Sequence, residues 1–157
     1  MDIRILTVFV FSLFNYPFCW GQKSIEKVKF VYAATTGINT GIPISCVPHD
    51  FDVGLRDLDY KIVRDSIFIG KFALLLEDLK PDTSVVYIDA RIMAIVTYKQ
   101  QMRKDTLCFG EFCGVDWNGT FMKDNPKLLS LVKKEIWSPD VPEAFRKIPY
   151  CRNLGSK

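Results

Sequence analysis

Residues 85–99 constrain the fold more than any other stretch: they are rich in Val, Ile, Tyr and Thr, with Val86, Ile88, Ala90, Ile92, Ala94, Val96 and Tyr98 at every second position. Successive side chains of a β-strand point to opposite faces, so this alternation predicts a long strand with one apolar face. Such a strand needs paired neighbours and a layer to cover it.

The neighbours are visible on both sides. Residues 27–33 alternate through Val28, Phe30 and Tyr32 and predict a first strand. Residues 106–117 return as strand material interrupted near Gly110, after a polar, basic connection at 99–104, which suggests two antiparallel strands. Asn118 and Gly119 both tolerate positive φ and predict a type I′ hairpin turn, with Trp117 and Phe121 on facing strands. With Thr120 the same residues form a glycosylation sequon, but the flanking apolar runs favour the turn as the reason for the tripeptide. Residues 35–48, punctuated by Gly37, Asn39, Gly41, Pro43 and Pro48, read as an irregular crossing with a short extended piece at 42–46. Residues 51–65 offer Val53, Leu55, Leu58, Tyr60 and Ile62 to a core, as either a strand or short turns.

Two segments carry helical spacing. Asp65 or Ser66 is placed to cap a helix whose stripe is Phe68, Phe72, Leu75, Leu76 and Leu79, stopped by Pro81. Asn125 and Pro126 then form an N-cap and first helical position, followed by an inner face of Leu128, Leu131, Val132 and Ile136. Lys133 and Lys134 suit the negative end of that helix dipole. The expected class is α+β: an antiparallel sheet of about four to five strands with two helices packed on one face.

The ends of the chain read differently from its middle. Arg4 and the chain amine precede a largely apolar run at 5–14, and Pro17, Cys19 and Gly21 supply a breaker and small residues. That order is the pattern of a secretory signal peptide, residues 1–21, although Asp2 offsets Arg4. An uncleaved helix over the apolar run would be about 15 Å long, roughly half of a bilayer core. Tyr16, Pro17 and Phe18 also argue against lipid modification of Cys19. Residues 22–157 are then a single exported α+β domain, secreted or periplasmic, with an extended tail from about 138 and no membrane span after cleavage.

Export bears on the cysteines. Of the five, Cys19 leaves with the signal and Cys46, Cys108, Cys113 and Cys151 remain, an even number that favours two disulfides. Spacing suggests Cys108 with Cys113, provided that Gly110 bends the intervening loop, and Cys46 with Cys151, tying down the tail. The C-x4-C spacing of Cys108 and Cys113 is shared with zinc sites, but one such pair is a weak metal signal.

Chemistry is sparse. The formal charge of +3 is too small to imply a nucleic-acid partner. His49 is the only histidine, so any histidine-based mechanism must use it, with Asp50 and Asp52 as the nearest local partners. Asp57, Asp59, Glu111 and Asp116 are the carboxylates that folding would have to bring together for acid–base work. Lys99, Arg103 and Lys104 cluster at a loop, Arg146, Lys147, Arg152 and Lys157 mark the tail, and Tyr87 or Trp117 are candidates for an uncovered sheet face. No phosphate loop, dinucleotide fingerprint or serine elbow occurs. The expectation is a non-catalytic protein-binding module of inhibitor, immunity or envelope accessory type, without cofactor, whose partner is another exported or envelope protein. A small secreted hydrolase using carboxylates or His49, and a binder of small apolar ligands, are the alternatives. Intact mass of the exported protein should give a chain starting at Gln22; a retained amino terminus would remove the compartment argument.

Overall fold

The computed structural model describes residues 24–33, 43–55, 57–99, 102, 104–110 and 113–137. Residues 1–23, which include the expected signal peptide, residues 34–42 and residues 138–157, where a tail is expected, lie outside the described residues. The elements run β1 (Ile25–Ala33), α1 (Pro48–Gly54), β2 (Leu58–Val63), α2 (Ser66–Glu77), β3 (Ala90–Tyr98), β4 (Lys104–Gly110), β5 (Val115–Trp117), β6 (Thr120–Met122) and α3 (Pro126–Trp137). The fold is α+β, with a six-stranded sheet in the order β2-β1-β3-β4-β5-β6 and every neighbouring pair antiparallel. The strand count exceeds the expected four to five, because the ambiguous residues after 51 supply both a short helix and β2.

Because β2 and β3 are each antiparallel to β1, they run in the same direction with β1 between them. Helix α2 makes that crossover over one face of the sheet. Its start is fixed by Asp65, whose Oδ1 accepts the Phe68 amide at 2.7 Å. Phe68, Phe72 and Leu76 are its buried stripe, at the spacing the sequence predicts. Helix α3 begins in the same way, with Asn125 Oδ1 accepting the Leu128 amide at 3.1 Å, and it buries Leu128, Leu129, Val132 and Ile136. Lys133 belongs to this inner side and is 3% exposed, contrary to its expected role at the helix end, because it follows Leu129 by one turn; Lys134 alone is in the last turn and exposed.

The helices cover a face formed by Val28, Phe30 and Tyr32 of β1, Val63 of β2, Ile92, Ala94, Val96 and Tyr98 of β3, and Leu107 and Phe109 of β4. Phe30 meets Phe68 and Phe72 edge-on, with ring centroids 5.9 and 6.3 Å apart. Against expectation, β3 begins at Ala90: Val86 and Tyr87 precede it and are exposed. Ala90 also leaves the face of Ile92. The pairing passes from Ala90↔Gly110 to Ile92↔Phe109, so Arg91 is the extra residue of a bulge and the alternation flips there. Ala90 therefore joins the second face.

That second face has its own apolar cluster, in which Ile44, Phe51 and Leu55 lie against Ala33, Ala90, Met93 and Cys108. Residues 43–55, including α1, form its cover. Ile44 is tied to the start of β3 twice: its amide donates to Asp89 Oδ1 at 3.1 Å, and its carbonyl accepts the Ala90 amide at 2.9 Å.

Strands β5 and β6 meet in the expected two-residue turn, with φ of 52° at Asn118 and 81° at Gly119 and Trp117 opposite Thr120. Asn118 does more than turn the chain. Its Oδ1 accepts the Thr106 amide at 2.8 Å and its Nδ2 donates to Asp105 Oδ1 at 2.9 Å, while Tyr98 donates its hydroxyl to Asp105 Oδ2 at 2.7 Å. Asp105 is buried, so these donors offset the desolvation of its carboxylate. Replacing Asn118 by Ala removes both a residue suited to positive φ and a donor to that carboxylate. Urea unfolding of Asn118→Ala should show a loss of about 2 kcal/mol.

Tyr32 gives a second prediction. Its buried phenol is pushed above its usual pKa, first by desolvation and then by the Asp59 carboxylate, with Lys61 opposing. The folded state thus disfavours the phenolate, so this contribution is intact below the ordinary tyrosine value and disappears as pH rises through the elevated one. Tyr32→Phe should flatten that part of the alkaline limb in stability measured against pH.

Candidate functional site

Rows of side chains on the second face follow directly from the strand register. One row crosses the whole sheet: Tyr60, Val31, Met93, Cys108, Asp116 and Phe121. The next contains Ile62, Lys29, Ile95 and Thr106, and the one beyond it Lys27, Thr97 and Lys104. Residues 43–55 lie on the Ala33 and Ala90 side of the first row. Moving away from that cover, the face becomes open and basic. Lys29, Lys104, Tyr60 and Ile62 are exposed, while Ile95, Thr97 and Thr106 are partly so. Tyr60 has 71% of its surface accessible, and Lys29 Nζ lies 5.6 Å from the centre of its ring.

The two ends of the sheet are treated unequally. At β6, the Asp82 amide donates to the Phe121 carbonyl at 2.9 Å and the Lys123 amide to the Lys80 carbonyl at 2.7 Å, with Pro81 bridged to Met122 between them. Pro81 brings no amide hydrogen of its own and suits an edge. Asp82 is itself held by Ser84, whose hydroxyl and amide both donate to Asp82 Oδ1 and lower its carboxyl pKa. Among the described residues no segment adds to the outer edge of β2 in this way. An uncovered edge has backbone amides and carbonyls available to another strand.

The Cys46–Cys108 disulfide anchors the covered part of this face, with Cα atoms 5.6 Å apart across a sequence separation of 62. This bridge overturns both pairings suggested by spacing, Cys108 with Cys113 and Cys46 with Cys151. The reason is local: the chain between Gly110 and Gly114 is closed by a backbone hydrogen bond, from the Gly110 amide to the Gly114 carbonyl at 3.0 Å, and Cys108 joins the second-face cluster with Cys46 packed against it. A Cβ on Gly110 would fall 2.0 Å from the Cys113 carbonyl oxygen, so glycine permits that closure. Cys113 is half-buried and forms no disulfide among the described residues, and Cys151 lies outside them.

The other candidates do not assemble into one centre. His49, Asp50 and Asp52 are all exposed on α1, and Asp50 accepts a hydrogen bond from the Ser45 hydroxyl. Asp57 and Asp59 flank the start of β2, whereas Asp116 is on β5. Four strand spacings separate β2 from β5, about 19 Å. Asp116 is buried and accepts the Gly119 amide at 2.7 Å, which serves the turn; Glu111 lies outside the described residues. Among the described residues no three His, Cys, Asp or Glu side chains are grouped to hold a metal ion. Trp117, expected on an uncovered face, packs with the helix-side core, and Tyr87 is exposed but precedes β3. Of the basic residues at the β3–β4 connection, Lys99 and Lys104 are exposed and Arg103 is outside the described residues.

Tyr60 and Ile62 are the residues that sequence reasoning placed wrongly. Both looked available to a core, yet in β2 it is Val63 that reaches it. The signal was there in the alternation of Tyr60, Lys61 and Ile62, where a strand must send Lys61 one way and its neighbours the other. Lys61 lies on the helix side and pairs with Glu135 of α3 at 2.9 Å.

Among the described residues no helix is long and apolar enough to cross a membrane. No protein-family model matches the chain, and neither a curated protein nor a solved structure matches it significantly.

The bridge predicts a graded loss of structure. In the chain-entropy view, removing a crosslink over a loop of this length costs about 4 kcal/mol at most. Cys46→Ser with Cys108→Ser should lower stability by about 2–4 kcal/mol, and hydrogen exchange should show the amides of α1 losing protection before those of α2 and α3.

Proposed function

We propose that the chain is an exported, non-catalytic protein-binding module of inhibitor, immunity or envelope accessory type. The observation that carries this reading is the open basic part of the second sheet face beside the uncovered β2 edge. A rigid sheet presents such a surface without reorganisation, which keeps the entropic cost of association low. Tyr60 supplies a large side chain of few rotatable bonds and Lys29 a charge beside it, a combination common at binding surfaces. The apolar segment at residues 5–14 and the disulfide support export to an oxidising compartment, secreted or periplasmic.

The rival readings have less behind them. A hydrolase would have to use an exposed His49 whose neighbour Asp50 is engaged by Ser45. An apolar ligand between helices and sheet would need space filled by Phe30, Phe68 and Phe72, whose ring centroids lie 5.6–6.3 Å apart. A second exposed apolar pair, Ile67 and Leu74 of α2, is two turns apart on the helix with Lys71 between them, and it lies on a helix, away from any open sheet edge.

Photo-cross-linking tests the module reading. A photoreactive amino acid replacing Tyr60 should give adducts with an exported protein, while the same group replacing Leu74 should not. Adducts at neither position would remove the reading, and loss of a measured hydrolysis on His49→Ala or Asp52→Ala, with folding unchanged, would replace it with the enzyme alternative.

A further inference from the structure

The charge on the open face is one-sided. Lys27 and Lys104 share a row separated by Thr97, so their backbones are two strand spacings apart, about 10 Å, and Lys29 lies two residues along β1 from Lys27, about 7 Å. The acid nearest in sequence to the β1 lysines, Glu26, approaches Lys27 at 3.7 Å with the two side chains 33% (Lys27) and 46% (Glu26) accessible, where such a pair neutralises little. Asp116, in the row that also contains Tyr60, is buried and engaged by the turn. Lys27 and Lys29 are thus near neighbours on β1, with Lys104 adding positive charge two strands away, and a negative partner would relieve the repulsion of the β1 pair. By composition, residues 138–157 are net basic, with Asp140 and Glu143 against Arg146, Lys147, Arg152 and Lys157, and residues 34–42 contain no charge. A second copy of this face would bring the same three lysines.

Resting on the module reading, we infer that the partner contributes an extended acidic segment that adds to β2 as a further strand and lays alternate carboxylates toward Lys27 and Lys29, two strand spacings or about 10 Å away on β1. Strand addition supplies the backbone hydrogen bonds, and side chains of one parity reach the face. Tyr60 and Ile62, exposed on that face beside the edge, receive apolar groups of the incoming strand. A plain anionic surface would use the lysines but leave the β2 edge unused.

Random ten-residue segments displayed on phage and selected on the oxidised chain are the probe. The recovered peptides should have Asp or Glu at alternate positions and should bind at least about tenfold more weakly to a Lys27→Glu/Lys29→Glu variant that melts like the parent. N-methylation of alternate peptide nitrogens should abolish binding in one phase and spare it in the other, because only every second amide of an added strand faces the edge. No selected binder, peptides without acidic enrichment, or equal binding to the charge-reversed variant would overturn the inference. Insensitivity to N-methylation in both phases, or equal binding of phosphatidylserine vesicles, would overturn strand addition. Adducts at Tyr60 in the cross-linking experiment together with any of these failures would leave the broader module reading standing.

Discussion

Strand β3 is shut off from water on both sides along most of its length, and the remaining architecture answers to that condition. A strand buried on both faces needs a cover over each. On one side α2 and α3 provide it, with an aromatic group at its centre formed by Phe30, Phe68 and Phe72. On the other, residues 43–55 reach only as far as the cluster around Ile44, Phe51 and Ala90. The bulge at Arg91 matches these unequal covers, because it hands Ala90 to the face that the short cover protects while Ile92 stays under the helices. Arg91 itself is held at its guanidinium by Asp89, the carboxylate that also accepts the Ile44 amide, so the bulge and the cover share a hydrogen-bonding hub.

The disulfide belongs to the same design. A helix of the length of α1 has too few backbone hydrogen bonds to be stable by itself. Its Phe51 is almost fully buried, and Cys46 just ahead of it is bonded to a central strand. Covalent attachment close to the apolar anchor means that the segment need not gain much from its own secondary structure. A cover secured in this way can be small, and a small cover leaves the basic rows beyond Cys108 open.

Much of this was legible in the residues. Period-two alternation found β1 and β3, and strand material after the polar connection at 99–104 found β4; helical stripes with their caps found α2 and α3; Asn118 and Gly119 fixed the β5–β6 turn. Each of these is set by contacts between residues close in the chain, or by one repeated apolar face. The disulfide was not legible, because Cys46 and Cys108 meet only after β3 has paired with both β1 and β4. The flip at Ala90 was invisible for a similar reason: a bulge is a property of two strands, and one strand's alternation continues through it unchanged. An uncovered sheet face was expected, but its residues were missed, because Tyr60 and Ile62 resemble core residues until Val63 is known to point the other way. Its three lysines come from β1 and β4, and only the shared register with β3 gathers them.

The segment that closes β6 limits how copies of this molecule can assemble. A sheet with two open ends is a polymerisation unit, since each added copy exposes a fresh edge for the next. Here Lys80, Pro81 and Asp82 occupy one end, so among the described residues β2 is the strand whose edge is left for such an encounter. Two molecules joined β2 to β2 would consume both available edges and stop. Through the sheet edges of its described residues, this chain can be a terminus or half of a closed pair.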